Sequence, residues 1–284
     1  MAATTQPLKL YGADKASFEG HTLIVPAISI GSVPQLAVDL LIHHQALGLR
    51  YVGTFDSTAF CLPYACPPDS IPDSARQGTD ESPLGLSLQL YSNSATRLTV
   101  LQQRSPTLKS AKNEFVTALT QWAKSAKIAQ ILILGTLDAA LRVDAEMDTP
   151  LVHLTSPGAS SSQSALLQQL PKCCPPFRSD AAHGLSSPAQ EAQNALPYLP
   201  GAGLTRLLLQ AGGNDLPVGA LLLFAHEGDN RGDAHMLAKV VVQFLSQAGL
   251  LSSTQHKGPD VVDLKEPRSW LTVFGPQMDQ AIYG

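Results

Sequence analysis

Residues 22 to 55 constrain the architecture more than any other stretch of the chain. Thr22-Leu23-Ile24-Val25-Pro26-Ala27 is an apolar run of strand length. It enters a turn at Ile28 to Gln35, where Ser32 stands in a capping position and Pro34 sits where a missing amide does no harm. Leu36, Leu40, Leu41 and Leu47 then recur at helical spacing, and Gly48 ends the element. Leu49 to Phe55 is a second strand-like run. Strand, helix, strand over this distance predicts a βαβ unit and a parallel pair of strands.

The pattern continues in the same style. Leu84 to Ser92 and Arg97 to Gln103 alternate around a short polar turn, which predicts an antiparallel hairpin. Ser110 opens a helix through Lys127, with Phe115, Leu119, Trp122 and Ala126 on one face. That helix feeds the apolar strand Gln130 to Gly135, predicted to be buried on both sides and reached by a second crossover. Leu151 to Leu154 reads as a short strand. Gly201-Ala202-Gly203 reads as a turn entering an apolar stretch, Leu204 to Leu209. Val218 to Ala225 is a buried strand, followed by a helix capped by Asp233 and carrying Met236, Leu237, Val240, Val241, Phe244 and Leu245.

Two segments break the pattern. Leu62 to Ser82 is rich in Pro, Asp and Ser and reads as a loop. Residues 156–194 are dominated by Ser, Gln, Ala and Pro, and read as a partly flexible, low-complexity insertion that adds little to the core. With 284 residues and 44% of them hydrophobic, the chain could build one large α/β domain or two small ones. The expected organisation is an extension over 1–17, one α/β domain over 18–276 and a tail over 277–284. The domain should hold a mixed, largely parallel central sheet with helices on both faces.

Charge and cysteines exclude several classes of partner. A formal net charge of −4 gives no electrostatic reason to expect nucleic acid or an anionic membrane. The first 20 residues lack the apolar core of a signal peptide, so export is not expected, and no apolar run approaches membrane-spanning length. Cys61, Cys66, Cys173 and Cys174 offer no C-x-x-C spacing, which points to a reduced compartment without a disulfide framework or zinc site.

A search for catalytic groups returns little. There is no G-x-S-x-G elbow, no Walker loop and no G-x-G-x-x-G after a strand, so neither a nucleophile nor a cofactor cradle is expected. Ser32 reads as a helix cap. His43 and His44, adjacent and placed within the first helix, diverge by about 100° and make a poor metal pair. His226, Glu227 and Asp229 form the densest polar group after a buried strand. The two carboxylates there immediately precede a helix, whose free amides and dipole explain them without catalysis. An enzyme reading would need Ser32, His226, Glu227 and Asp229 to converge in one pocket.

The last three residues, Ile282-Tyr283-Gly284, carry a different kind of signal. They resemble the HbYX motif of proteins that bind the outer face of the proteasome core particle. Such an ending presents a free carboxylate for a lysine, a phenol that is half apolar and half polar, and an aliphatic group for a shallow pocket. Four upstream blocks resemble the proteasome assembly chaperone 2 family in the same order. They are Phe18 to Leu40, Leu199 to Thr205, Phe224 to Asn230 and Pro267 to Gly275.

The resemblance spans most of the chain, weakly over 63–82 and not at all over 156–194. It implies a cytosolic and nuclear factor with no active site, no cofactor and no metal, on a sandwich fold related to nucleoside phosphorylases. It also implies a heterodimer with proteasome assembly chaperone 1 that holds proteasome α subunits while the α ring assembles. Ile282, Tyr283 and Gly284 would then dock between neighbouring α subunits. The alternatives are a nucleoside-phosphorylase-like or hydrolytic enzyme on the same scaffold, and a generic adaptor that shares the fold.

Overall fold

The computed structural model describes residues 6–12, 16–69, 84–157, 164, 166–177, 196–251 and 263–273. In chain order the elements are β1 (Leu10–Tyr11), β2 (Thr22–Pro26), α1 (Val33–His43), β3 (Arg50–Phe55), β4 (Ala65–Cys66) and β5 (Gly85–Leu86). Next come β6 (Leu88–Asn93), β7 (Leu98–Gln103), α2 (Lys112–Ser125), β8 (Gln130–Asp138), β9 (Leu151–Thr155) and α3 (Leu170–Cys173). The chain continues through α4 (Thr205–Ala211), β10 (Val218–Ala225), α5 (Arg231–Gln247) and α6 (Trp270–Val273).

Eight strands form one mixed sheet in the order β1-β3-β6-β7-β2-β8-β10-β9. Its centre is parallel: β2 pairs in that sense with β7 and β8, and β10 with β8. Both wings are antiparallel, through β1, β3 and β6 on one side and β9 on the other. β4 and β5 form a separate two-stranded ribbon.

The parallel strands read as continuous apolar runs because both of their faces are covered. In β2, Leu23 and Val25 face one core and Ile24 the other. In β10, Ala220 and Leu222 pack on one side, and Leu221 and Leu223 on the other. Phe115 and Leu119 of α2 cover the first face together with Leu208 and Leu209 of α4. Leu40 and Leu41 of α1 cover the second with Leu237, Val241 and Phe244 of α5.

The first βαβ unit is corrected in one respect. β3 does run parallel to β2, but the two do not pair. The β6–β7 hairpin lies between them, and Thr22 to Ile24 of β2 pair with Leu98 to Val100 instead. A hairpin with one fully buried strand offers β2 a closer partner than a strand returning beyond α1. The second crossover is as expected, since β7, α2 and β8 place two strands on either side of β2.

The apolar stretch after Gly203, to which the sequence pattern assigns no element, is a helix, α4, whose leucines pack toward β10. Two further expectations change. Asp233 lies inside the first turn of α5, and Asn230 holds the capping position. The described part of the 156–194 segment does join the core. Leu166, Leu167, Leu170, Cys174 and Phe177 are buried there. Gly219 makes room for Leu167 and Leu170, whose methyl carbons would stand 2.6 and 2.8 Å from a Cβ at that position. The same segment covers the outer edge of β9. His153 N donates to Pro175 O, and Phe177 N donates to His153 O.

At the other edge, Leu8 is buried and β1 pairs with β3, so part of the 1–17 stretch packs on the domain. No helix among the described residues is long and apolar enough to cross a membrane. All four cysteines are free thiols. Residues 277–284 lie outside the described residues.

Candidate functional site

Two places on the domain concentrate polar geometry. The first is the rim where β2, β8 and β10 end. Pro26 pairs with Leu134, which pairs with Leu221, so β2 stops there while β8 and β10 run on side by side to Asp138 and Ala225, and the loop after β2 passes over the end of β8. Ser29 Oγ donates to Ala27 O and accepts from Thr136 N, and Thr136 Oγ1 donates to Ile30 O at 2.7 Å.

The turn before α4 closes on the same spot from the far end of the sequence. Ile30 N donates to Gly201 O, and Asp138 N donates to Pro200 O. Gly203, with φ of 59°, lies so close that a Cβ would sit 1.8 Å from Ile28 O. On the other side, Gly31 (φ 71°) meets the loop after β10, where a Cβ would stand 2.6 Å from Asn230 Nδ2. Only a residue without a Cβ fits these approaches. Three of the four blocks singled out in the sequence therefore meet at one edge of the sheet.

The four residues that an enzyme would need lie on or beside this rim, and all are exposed. Asp229 is held by Arg231: its carboxylate accepts from Nη2 at 2.6 Å, from Nε at 3.0 Å and from the first backbone amide of α5. These hydrogen bonds from the Arg231 side chain hold the Asp229 carboxyl below its usual range. Ser32 occupies the capping position of α1 in a left-handed conformation, and its side chain makes no capping hydrogen bond. No solvent-shielded acid–base pair results. Leu141, Met147 and Tyr198 are exposed on the segments that follow β8 and precede Gly201, and Ile28 and Ile30 are half-buried.

The second place lies under α1. Asp39 is the one carboxylate in a largely apolar helix and is only 5% exposed. Its carboxylate accepts from Gln102 Nε2 of β7, from Arg104 Nη2 at 3.1 Å and from Trp270 Nε1 at 3.3 Å. One residue before Trp270, Ser269 donates its amide to Asp69 Oδ1 at 3.1 Å and its hydroxyl to Asp69 Oδ2. His235 of α5 adds a third tie, with Nε2 3.0 Å from Glu266 Oε1 and its ring edge-on to Trp270. Burial pushes the Asp39 carboxyl upward, and Arg104 beside it acts in the opposite sense. Burial acts most strongly, and against the Arg104 charge, but Asp39, Tyr91, Asp69 and Cys66 together outweigh it, and Arg104 is held more firmly protonated.

His43 and His44 end α1 instead of lying within it. His44 Nδ1 accepts from Ala46 N and shapes the turn that follows. No group of three or more His, Cys, Asp or Glu side chains among the described residues could hold a metal ion. Ile282, Tyr283 and Gly284 lie outside the described residues. The Asp39–Arg104–Trp270 contacts escaped the sequence reading. Their one legible sign was a lone carboxylate among the apolar positions of α1.

Comparison with known proteins agrees with this picture. The family model described as "PAC2 family" matches residues 23–248. Proteasome assembly chaperone 2 of Danio rerio is 31% identical over 91% of this chain and 93% of its own length. The protein of the same name from Nematostella vectensis is 33% identical over 76% of this chain and 86% of its own length. Among solved structures, Pyrococcus furiosus PbaA, described as an archaeal homolog of proteasome-assembly chaperone, superposes with a TM-score of 0.55. It is 17% identical and covers 88% of this chain and 89% of its own, which extends the likeness to the fold. The matched model takes in all four parallel strands, α1 and the rim, and on that match the chain belongs to the PAC2 family.

Proposed function

We propose that this chain is a proteasome assembly chaperone. In this reading it pairs with proteasome assembly chaperone 1, and the heterodimer holds proteasome α subunits while the α ring forms, in the cytoplasm and the nucleus. Ile282, Tyr283 and Gly284 enter a pocket between neighbouring α subunits and supply the aliphatic group, the phenol and the carboxylate. The observation that carries the proposal is similarity over most of the chain to relatives that bear the name proteasome assembly chaperone 2. A rim of glycine turns with exposed apolar side chains, and no shielded acid–base pair on it, is in keeping with binding without turnover.

The test is a pull-down from native cytosol with the full chain and with a chain ending at Ala281. The full chain should retain the sister chaperone and immature α-ring species. The shortened chain should keep the sister chaperone and lose much of the ring. Equal ring recovery by both would remove the docking role of the tail. Failure of the full chain to retain any proteasome species would remove the proposal itself.

A further inference from the structure

We propose that Asp39, with Arg104 and Asp69, is a positioning device that fixes where the C-terminal end of the chain leaves the domain. The inference rests on the docking reading above and deepens it. α6 is a four-residue helix, far too short to be stable by itself. It is placed by three side-chain ties within five residues: Glu266 to His235, Ser269 to Asp69, and Trp270 to Asp39. The partners come from α5, from the connection that follows β4 and from α1, so the helix is fixed against three separate parts of the domain.

The next residue, Leu271, is 68% exposed, so the chain is already at the surface there. From Phe274 to Gly284 there are eleven residues, which can span no more than about 40 Å. A terminus of that length reaches a given pocket only from a suitable exit point, and its effective concentration there falls as the exit point wanders. A buried ion pair adds little net stability over well-packed apolar residues, but it selects one arrangement. That suits a device whose task is placement.

The experiment uses the full chain and the variant Trp270→Phe, which keeps an aromatic ring and removes the donor to Asp39. Ser269→Ala serves as a second variant that loosens the helix from the Asp69 side. Amide hydrogen exchange over residues 266–273 should accelerate by about tenfold, with the amides of β2, β8 and β10 unchanged. Affinity for purified proteasome core particle should fall several-fold in the full chain. In a chain ending at Ala281 the same substitutions should have no further effect.

Unchanged exchange at 266–273 would overturn the proposal. So would an equal loss of affinity with and without the last three residues, because that would place the effect in the domain and not in the tail. Were truncation at Ala281 alone to leave affinity unchanged, the docking reading would fall. The exchange rates would then decide by themselves whether Asp39 and Asp69 hold the exit point.

Discussion

The rim and the Asp39 cluster hold distant parts of the sequence together by opposite means. At the rim the bonds run largely between backbone groups, with two hydroxyls, Ser29 and Thr136, filling the gap. What makes the approach possible there is the absence of side chains at Gly31 and Gly203. Under α1 the bonds run between side chains, and a buried carboxylate gathers an amide and a guanidinium from the end of β7 and an indole from α6. The first arrangement depends on shape and tolerates no added atom. The second depends on charge, and tolerates a change of shape if charge leaves from both partners together.

The largest effect should come from Gly203→Ala. The new Cβ would fall 1.8 Å from Ile28 O, a main-chain atom that cannot swing away as a side chain does, and the position has a left-handed φ. Strain and overpacking together should remove about 4 kcal/mol from the unfolding free energy measured in urea. Gly232→Ala is the control: nothing lies within 4 Å of a Cβ there, and the residue is helical. It should leave stability unchanged or raise it slightly. A loss below about 1 kcal/mol for Gly203→Ala would mean that the rim yields, and the contrast with the charged cluster would collapse.

Next in size is Arg104→Met, which strands the Asp39 carboxylate in a buried setting. Removing one partner of such a pair should lower stability by about 3 kcal/mol. The double variant Asp39→Asn with Arg104→Met keeps an acceptor for Gln102 and Trp270 but removes both charges, and should recover more than half of that. The pH dependence has a definite sign. Without Arg104, burial leaves the folded-state pKa of Asp39 above its unfolded value. The folded state then binds the proton more readily, so the loss is small at low pH and grows as pH rises through the folded pKa. A double variant no more stable than the single one would show that geometry, not charge, holds this region.

These two regions also differ in how far the sequence disclosed them. The apolar runs of β2, β8 and β10 and the helical spacing of α1 and α5 marked both faces of the sheet, because burial writes a period into the chain. The blocks around Gly31, Gly203 and Gly228 stood out as turns, although their meeting at one edge depends on a register that no local pattern records. The β6–β7 hairpin was legible, but its place between β3 and β2 was not, since strand order is settled by which partners compete in three dimensions. Leu166 to Phe177 looked like filler because a few apolar residues among Ser, Gln and Pro form no period, yet they cover β10. Trp270 and Asp39 are 231 residues apart, a separation at which only the folded chain can reveal a contact.

Thr136→Val tests the rim more gently. The exchange keeps shape and removes one hydroxyl, leaving Ile30 O without its donor at 2.7 Å and Ser29 Oγ without a neighbour at 2.8 Å. About 1 kcal/mol should be lost. Because shape is preserved, the loss should stay well below that of Gly203→Ala. Near-equality of the two would mean that the hydroxyls, not the glycines, hold the rim, and the assignment of that region to backbone fit would have to be reversed.

The smallest effect concerns acid, and it sharpens the comparison by subtraction, since His21 belongs to neither region. The ring is buried, and Nδ1 lies 2.9 Å from Thr99 Oγ1 on β7. Burial, followed by the nearby Arg97, lowers its pKa below the usual histidine value of 6.5. Between the two pKa values the unfolded chain binds more protons than the folded one. The stability that neutral His21 contributes is therefore complete above pH 6.5 and is lost as pH falls through the folded value. Thermal unfolding followed from pH 7.5 to 5.5 should show a steeper fall in Tm for the natural chain than for His21→Gln. With that contribution removed, whatever acid response remains belongs to other groups, and the rim, whose central bonds involve no titratable side chain, should have no share in it. Identical slopes for the two proteins would place the acid response in groups other than His21.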